Sequence, residues 1–532
     1  MTEPVVDIAH LSVALPSDGD RPFAIEDISL AVGRGEILCV VGESGSGKSV
    51  LASAIMGALP RGLRRTTGTI QFAGQDLAQL PEDKLRAIRG RQIAMIFQEP
   101  MAALNPSIRI GKQIEEILEI HAPAMPQAER GRRALALMRE MQLPDPETIA
   151  RRYPHEISGG QCQRVVIAMA LAWNPALLIA DEPTTALDVT TQAQILRLIK
   201  ALRDEHGHGI LFVTHDFGVV ADIADRVAVM QRGHLVEIGP ADQVLNHPQH
   251  PYTQQLIAAV PSLVPHPRPA PSETAALRLE GLSRFFGPVR AVYDVTFDVP
   301  AGGTVAIVGE SGSGKSTLAK AVIRLLAPDA GRTLIEDVDF AHLSGRDLMR
   351  RRRLIQMVFQ DPFGSLNPNR SVGSVLERAG ILGGLNARDA RAQAADLLDL
   401  VGLQSESLHR KPEAFSGGQR QRIGIARALA MRPSIIIADE AVSALDVSVQ
   451  KQVLELLDRL QRDRGLTMLF ITHDLRVAAG IADRIAVMQR GKVVEFGPAV
   501  QVLLHPENPY TAELVAAAPG RAWQTSRLDE GR

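Results

Sequence analysis

Short, unbroken apolar runs recur along the 532-residue chain, at 37–41, 177–180, 305–308 and 435–438. None shows the polar alternation of a half-solvated strand, so each predicts a strand buried on both faces of a mostly parallel sheet. Apolar residues at helical spacing follow two of these runs, over 50–59 and 318–326. The pattern therefore predicts an α/β fold. The longest apolar stretch, 165–173, is broken by Asn174-Pro175. It falls short of the ~20 residues that a bilayer span requires, so no membrane crossing is expected.

The same runs belong to an internal repeat. GESGSGKS occupies 42–49 and again 309–316, and SGGQ occupies 158–161 and 416–419. An Asp-Glu pair closes an apolar run at Asp181-Glu182 and at Asp439-Glu440, and Thr-His-Asp occurs at 214–216 and 472–474. Lys315 follows Lys48 by 267 residues and Gln360 follows Gln98 by 262. Ser416, Glu440 and His473 each follow their counterparts Ser158, Glu182 and His215 by 258. From SGGQ to the histidine the halves keep register, and the length difference lies earlier, where connections absorb it. This is the duplication of one domain. A chain of this length also exceeds the ~250–300 residues of a single core. Between the halves, residues 260–272 hold five prolines and predict a semi-rigid linker. The expected division is domain 1 over 1–260, linker over 261–273 and domain 2 over 274–532.

Each GESGSGKS follows a predicted strand and opens a predicted helix, the context that the phosphate-binding motif G-x-x-x-x-G-K-[ST] requires. Its glycines let backbone amides approach phosphate oxygens, and the helix start adds a favourable dipole. The candidate ATP-binding residues are Gly42, Glu43, Ser44, Gly45, Ser46, Gly47, Lys48 and Ser49 in the first half. In the second they are Gly309, Glu310, Ser311, Gly312, Ser313, Gly314, Lys315, Ser316 and Thr317. Lys48 and Lys315 suit the β- and γ-phosphates, and Ser49 and Ser316 suit Mg²⁺. Asp181 and Asp439, at the carboxyl edge of the sheet, suit the same cation through water. Glu182 and Glu440 suit a general base acting on the attacking water.

Taken together, these motifs resemble a tandem pair of ATP-binding-cassette (ABC) ATPase domains over nearly the whole chain. ISGGQ at 157–161 and FSGGQ at 415–419 match that family's signature. The resemblance implies that each domain has a RecA-like, mostly parallel sheet core, an antiparallel β-subdomain and a helical signature subdomain. It adds Ser158, Gly159, Gly160, Gln161, Ser416, Gly417, Gly418 and Gln419 to the ATP-binding set. It makes Gln98 and Gln360 the Q-loop residues, sensing Mg²⁺ and the transmembrane partner. It makes 186–188 and 444–446 the D-loops, and His215 and His473 the switch histidines, each 33 residues after its glutamate. In this family the domains meet head to tail, which implies that 42–49 face 416–419 and 309–316 face 158–161. Both halves keep Lys, Gln, Glu and His, so two competent sites are expected. Ala441 departs from the proline that the first half has at Pro183. Phe286 matches the adenine-stacking aromatic of the second half. In the first half, 13–20 lacks an aromatic, and Phe23 is either a substitute or a core residue.

EPMAALNP at 99–106, DPFGSLNP at 361–368, HPYT at 250–253 and NPYT at 508–511 resemble the peptide-importer branch. Its members serve dipeptide, oligopeptide, glutathione, nickel and microcin-type uptake. The resemblance implies two transmembrane permease subunits and a solute-binding protein as partners. It also implies a peripheral place on the cytoplasmic face of the bacterial inner membrane. With 58 basic and 60 acidic residues, the chain lacks the basic excess of a nucleic-acid partner. That weighs against a tandem ABC translation factor acting on ribosomes; this and small-molecule export are the alternatives. Two cysteines form no disulfide framework, which fits a reducing compartment. No cysteine-rich extension follows either half, so no iron–sulfur cluster is expected. Cys162, beside the signature, suggests sensitivity to thiol reagents. His247 and His250 correspond to His505 and Asn508, so a turn preceding a helix accounts for both copies better than a metal site. The cargo itself is open among peptide, glutathione, nickel chelate, opine and antibiotic peptide.

Overall fold

The computed structural model describes residues 4–17, 19–185, 187–266, 268, 272–443 and 445–530. Ala186 and Ala444, which begin the two D-loop matches, and linker residues 267 and 269–271 lie outside them. The chain divides into two compact units. One comprises 1–187, 191–260 and 519–532, and the other 188–190 and 261–518.

In the first unit a six-stranded sheet runs in the order His234–Pro240, Arg226–Gln231, Ile37–Val41, Gly209–Val213, Leu177–Asp181, Ile93–Ile96. All pairings are parallel except that of the edge strand His234–Pro240. Every residue of Ile37–Val41, Leu177–Asp181 and Gly209–Val213 is buried, which is why these strands read as continuous apolar runs. Because the three are adjacent and parallel, the turns that follow them emerge side by side at one sheet edge. Those turns carry GESGSGKS, Glu182 and His215, so residues far apart in sequence converge. A separate antiparallel sheet contains Pro4–Ala14, Phe23–Gly33, Arg64–Phe72 and Gln75–Asp76. The helices Ile110–His121, Gln127–Glu140 and Gly159–Ala170 join a core that includes Ile114, Leu118, Leu137, Met138 and Val165.

The second unit has the same architecture. Thr304–Val308 lies between Thr467–Ile471 and Arg484–Gln489, with Ile435–Asp439 and Ile355–Val358 beyond one side and Lys492–Pro498 at the other edge. Its antiparallel sheet is built on Ala275–Phe286 and Val289–Pro300. Val372–Leu382, Ala387–Leu400 and Gly417–Ala430 pack around Leu376, Leu398 and Ile425.

The compact units depart from a division at 260 and 274. Linker residues join the second unit: Leu263 is buried there, and the Arg268 guanidinium donates to the Ile481 carbonyl and the Asp458 carboxylate. Residues after Ala518 join the first unit. The Trp523 indole N–H donates to Asn246 Oδ1 at 2.8 Å, and the Gly520 amide donates to Asp222 Oδ2 at 3.1 Å.

Candidate functional site

Each GESGSGKS forms a tight loop between a buried strand and a helix. Gly42 and Gly309 have φ of 150° and 146°, and a Cβ on either would meet a backbone carbonyl, of Met230 or Met488, at 2.2 Å. Gly47 and Gly314 cap the following helices in the left-handed conformation, at φ 106° and 105°. No residue with a side chain fits these positions without strain.

The lysines close the loops. Lys48 Nζ donates to the carbonyls of Gly42 and Glu43 at 2.7 and 2.9 Å, and Lys315 Nζ to those of Gly309 and Glu310, both at 2.8 Å. Burial lowers the Lys315 ammonium, against the pull of Glu440. Among the described residues, the Ser46 and Ser313 hydroxyls are buried without a partner. Unmatched buried donors are rare in folded proteins. Here they sit in a glycine-lined loop at a helix start, and the donor set fits the oxygens of a polyphosphate.

Beside each loop, Ser49 Oγ donates to Asp181 Oδ1 at 3.1 Å and Ser316 Oγ to Asp439 Oδ1 at 3.0 Å. Burial raises both aspartic carboxyls, and the serine hydrogen bonds offset this only in part. A hydroxyl and a carboxylate facing one another fit the oxygen ligands that Mg²⁺ prefers.

The neighbouring glutamates have unusual backbones. Glu182 and Glu440 both have φ 47°, left-handed for a residue with a side chain. Such a conformation costs ~1–3 kcal/mol and persists only where the surroundings enforce it. Here the amides of Glu182 and Glu440 extend the sheet by donating to Val213 and Ile471 at 3.0 and 2.9 Å. The side chains turn back to meet two predicted partners. Gln98 Nε2 donates to Glu182 Oε2 at 3.0 Å, and His215 Nδ1 lies 3.3 Å from Oε1. In the second unit Gln360 Nε2 lies 2.6 Å and His473 Nδ1 3.6 Å from the Glu440 carboxylate. Burial pushes both glutamates up. The hydrogen bond and charge of the histidine, with the lysine charge, outweigh it and hold both carboxyls below the usual range. A carboxylate held this way is able to accept a proton.

Each unit therefore joins six predicted residues into one cluster: Lys, Ser, Asp, Glu, Gln and His. The signature residues form a separate group. Ser158 and Ser416 cap the helices Gly159–Ala170 and Gly417–Ala430, closing capping boxes with Gln161 and Gln419. Both glutamine carboxamides accept from the serine amide at 3.0 Å, so each orients a helix start. A Cβ on Gly159 or Gly417 would meet open space, whereas one on Gly160 or Gly418 would meet Thr191 or Val449. Cys162 does not fit a thiol-sensitive position: it is fully buried, and burial raises its thiol.

Phe286 ends its strand 46% exposed, with the Arg284 guanidinium 5.0 Å from the ring centre. In the first unit the corresponding hairpin closes on Ala14 opposite Phe23, where the second closes on Phe286 opposite Val289. Phe23 is thus across the hairpin from the position of Phe286. Four further participants were missed from sequence. The Arg21 guanidinium donates to the Gly45 carbonyl, the Thr185 hydroxyl donates to Glu182 Oε2 at 3.0 Å, and the Tyr252 and Tyr510 hydroxyls reach the loops. HPYT and NPYT carried a signal for the tyrosines, since they repeat in register; Arg21 and Thr185 had none. His250 and Asn508 each cap a helix by accepting from the tyrosine amide, as a helix-preceding turn requires.

Against models of protein families, residues 25–185 and 292–443 match the ABC transporter family. Residues 236–283 match the oligopeptide/dipeptide transporter C-terminal region. Among curated proteins, the glutathione import ATP-binding protein GsiA of Escherichia coli (strain K12) is 45% identical over 563 residues, covering 97% of this chain and 89% of that protein. The GsiA protein of Shigella flexneri is also 45% identical, with the same coverage. Among solved structures, the dimeric post-hydrolysis ATP-binding cassette MJ0796 bound to ADP and Pi is 31% identical. It covers 42% of this chain and 98% of its own, with a TM-score of 0.39.

Proposed function

This chain belongs to the ABC transporter family, and from that premise we propose that it hydrolyses ATP at two sites to drive uptake of a peptide-like solute. The observation that carries the reading is the doubled cluster: in both units a glutamate, held in a left-handed backbone, meets a glutamine and a histidine beside a phosphate-binding loop. Bound at each loop, ATP with Mg²⁺ supplies the phosphoanhydride whose cleavage provides the energy. Lys48 and Lys315, with the loop amides, neutralise the phosphates. Ser49, Gln98, Ser316 and Gln360 would hold the cation, with Asp181 and Asp439 joining through water. Glu182 and Glu440 take the proton of the attacking water, and His215 and His473 orient the glutamates and approach the γ-phosphate. Signature residues 158–161 and 416–419 add a hydroxyl and helix-start amides.

The solute belongs to the peptide class, and the 45% identity to glutathione import proteins supports glutathione as one of its members. The partners are two permease chains and, through them, a solute-binding protein. The chain works on the cytoplasmic face of the membrane. Among the described residues no helix is long and apolar enough to cross one, which suits a peripheral subunit. Expressed in its own host, the chain should co-purify from solubilised membranes with two permease chains and hydrolyse ATP there. Sedimentation with ribosomes, and no permease, would overturn the reading.

A further inference from the structure

The phosphate-binding loops are held from a second direction. The amide of Glu43, second residue of the first loop, donates to the Tyr252 hydroxyl at 3.2 Å, and that of Glu310 donates to the Tyr510 hydroxyl at 3.2 Å. A buried amide without an acceptor is costly, and here a side chain 209 or 200 residues away supplies one. Both tyrosines are buried, at 7% and 8% exposure. Burial pushes the Tyr510 phenol up to about 12, so it remains a neutral hydroxyl.

Each tyrosine is itself fixed by a short relay. Tyr252 lies in the first turn of Pro251–Ala258 and Tyr510 in that of Pro509–Ala516. His250 Nδ1 accepts from the Tyr252 amide at 3.2 Å, and Asn508 Oδ1 from the Tyr510 amide at 2.9 Å. Before each helix a strand carboxylate gathers two amides. Glu237 accepts from Gln249 and His250 at 2.8 and 3.1 Å, and Glu495 from Glu507 and Asn508 at 2.9 and 3.2 Å. Strand glutamate, helix cap, tyrosine and phosphate loop therefore form one connected path in both units. The cap residue differs between the copies, while the tyrosine and its contact do not.

We infer that Tyr252 and Tyr510 are positioning residues for nucleotide binding, holding the entry of each phosphate loop through the amide of Glu43 or Glu310. This rests on the reading of the loops as ATP sites. With the Glu43 or Glu310 amide tied to the phenol, the loop is pre-set before nucleotide arrives, and the ordering cost of binding is smaller.

The test uses the full chain and the fluorescent nucleotide MANT-ATP. Tyr252→Phe and Tyr510→Phe keep the ring and delete only the acceptor. Together they should raise the dissociation constant and the KM for ATP about fivefold, with kcat within about twofold. His250→Asn, which installs the second unit's own cap, should keep the wild-type KM, whereas His250→Ala should raise it. A ring that merely packs predicts no change in KM for either phenylalanine. Unchanged affinity in the double phenylalanine variant, beside lost binding in Lys48→Ala/Lys315→Ala, would overturn this inference alone. Retained binding in the lysine variant would instead overturn the ATP-site reading. Should the phenylalanine variants fail to fold, hydrogen exchange on the nucleotide-free wild type decides. The Glu43 and Glu310 amides should be protected, and full exchange at both would refute the contact.

Discussion

The two units repeat the same cluster, yet support it with different residues. Thr185 donates its hydroxyl to the Glu182 carboxylate at 3.0 Å, whereas Ser443 donates to the Glu440 backbone carbonyl at 3.0 Å. Pro183 in the first unit is Ala441 in the second. Cys162 gives way to Arg420, and each donates to the proline carbonyl eight residues before it, Pro154 or Pro412. Among the described residues, only the first loop has an arginine on it, Arg21, and only the second hairpin ends in an exposed aromatic, Phe286. The glutamine and histidine that meet each glutamate recur in both units, as orienting one carboxylate needs particular groups at particular places, and the Thr185 contact is added to that set in the first unit. A contact that only fixes a backbone needs any donor that reaches, so thiol and guanidinium can exchange. The difference separates chemistry from scaffolding within one molecule.

The strongest way to break the equivalence is to remove one base at a time. Glu182→Gln and Glu440→Gln each keep the shape of the side chain but replace one accepting oxygen with an NH2 and lose the proton acceptor. Either alone should lower steady-state ATP hydrolysis by half or more. Both together should lower it by ~100-fold or beyond, the contribution of a positioned general base. A rate untouched by one of them would show that only one unit hydrolyses ATP. Nucleotide affinity gives a smaller effect. Phe286→Ala should weaken binding about tenfold at one of the two sites, as loss of base stacking does. Ala14→Phe, which installs an aromatic at the matching hairpin position, should tighten the other. Two-site MANT-ATP titrations resolve this, and identical affinities throughout would dissolve the asymmetry.

Much of this was legible in the chain because its chemistry is local. GESGSGKS carries its glycines, lysine and serine within eight residues, and the flanking strands are buried on both faces, so apolar runs mark them without ambiguity. SGGQ likewise contains its own capping box. The unread parts are long-range or conformational. Nothing in the type of Glu182 or Glu440 announces a positive φ; the turn that follows the buried strand imposes it. Tyr252 lies 209 residues from the amide it receives, and Trp523 lies 277 residues from Asn246. Such pairs depend on the finished topology. Arg21 was hidden for another reason, since a lone arginine in a polar loop is ordinarily solvated.

The smallest expected effect concerns the thiols. Cys162 stands where the second unit has Arg420, next to the signature, and a thiol there invites alkylation. The structure argues otherwise. Its sulfur lies 3.5 Å from the Pro154 carbonyl and 3.4 Å from Met101 Sδ, the residue is fully buried, and burial raises the thiol, so little thiolate forms. Cys39, inside the central strand of its sheet, is also fully buried and shifted the same way. Treatment of the folded chain with N-ethylmaleimide should therefore leave ATP hydrolysis within about a fifth of the untreated rate, with neither cysteine labelled by mass spectrometry. Loss of activity in step with labelling of Cys162 would show that the signature helix start opens during turnover. Cys162→Ser would then protect the enzyme, and the contact to Pro154 would belong to the resting state alone.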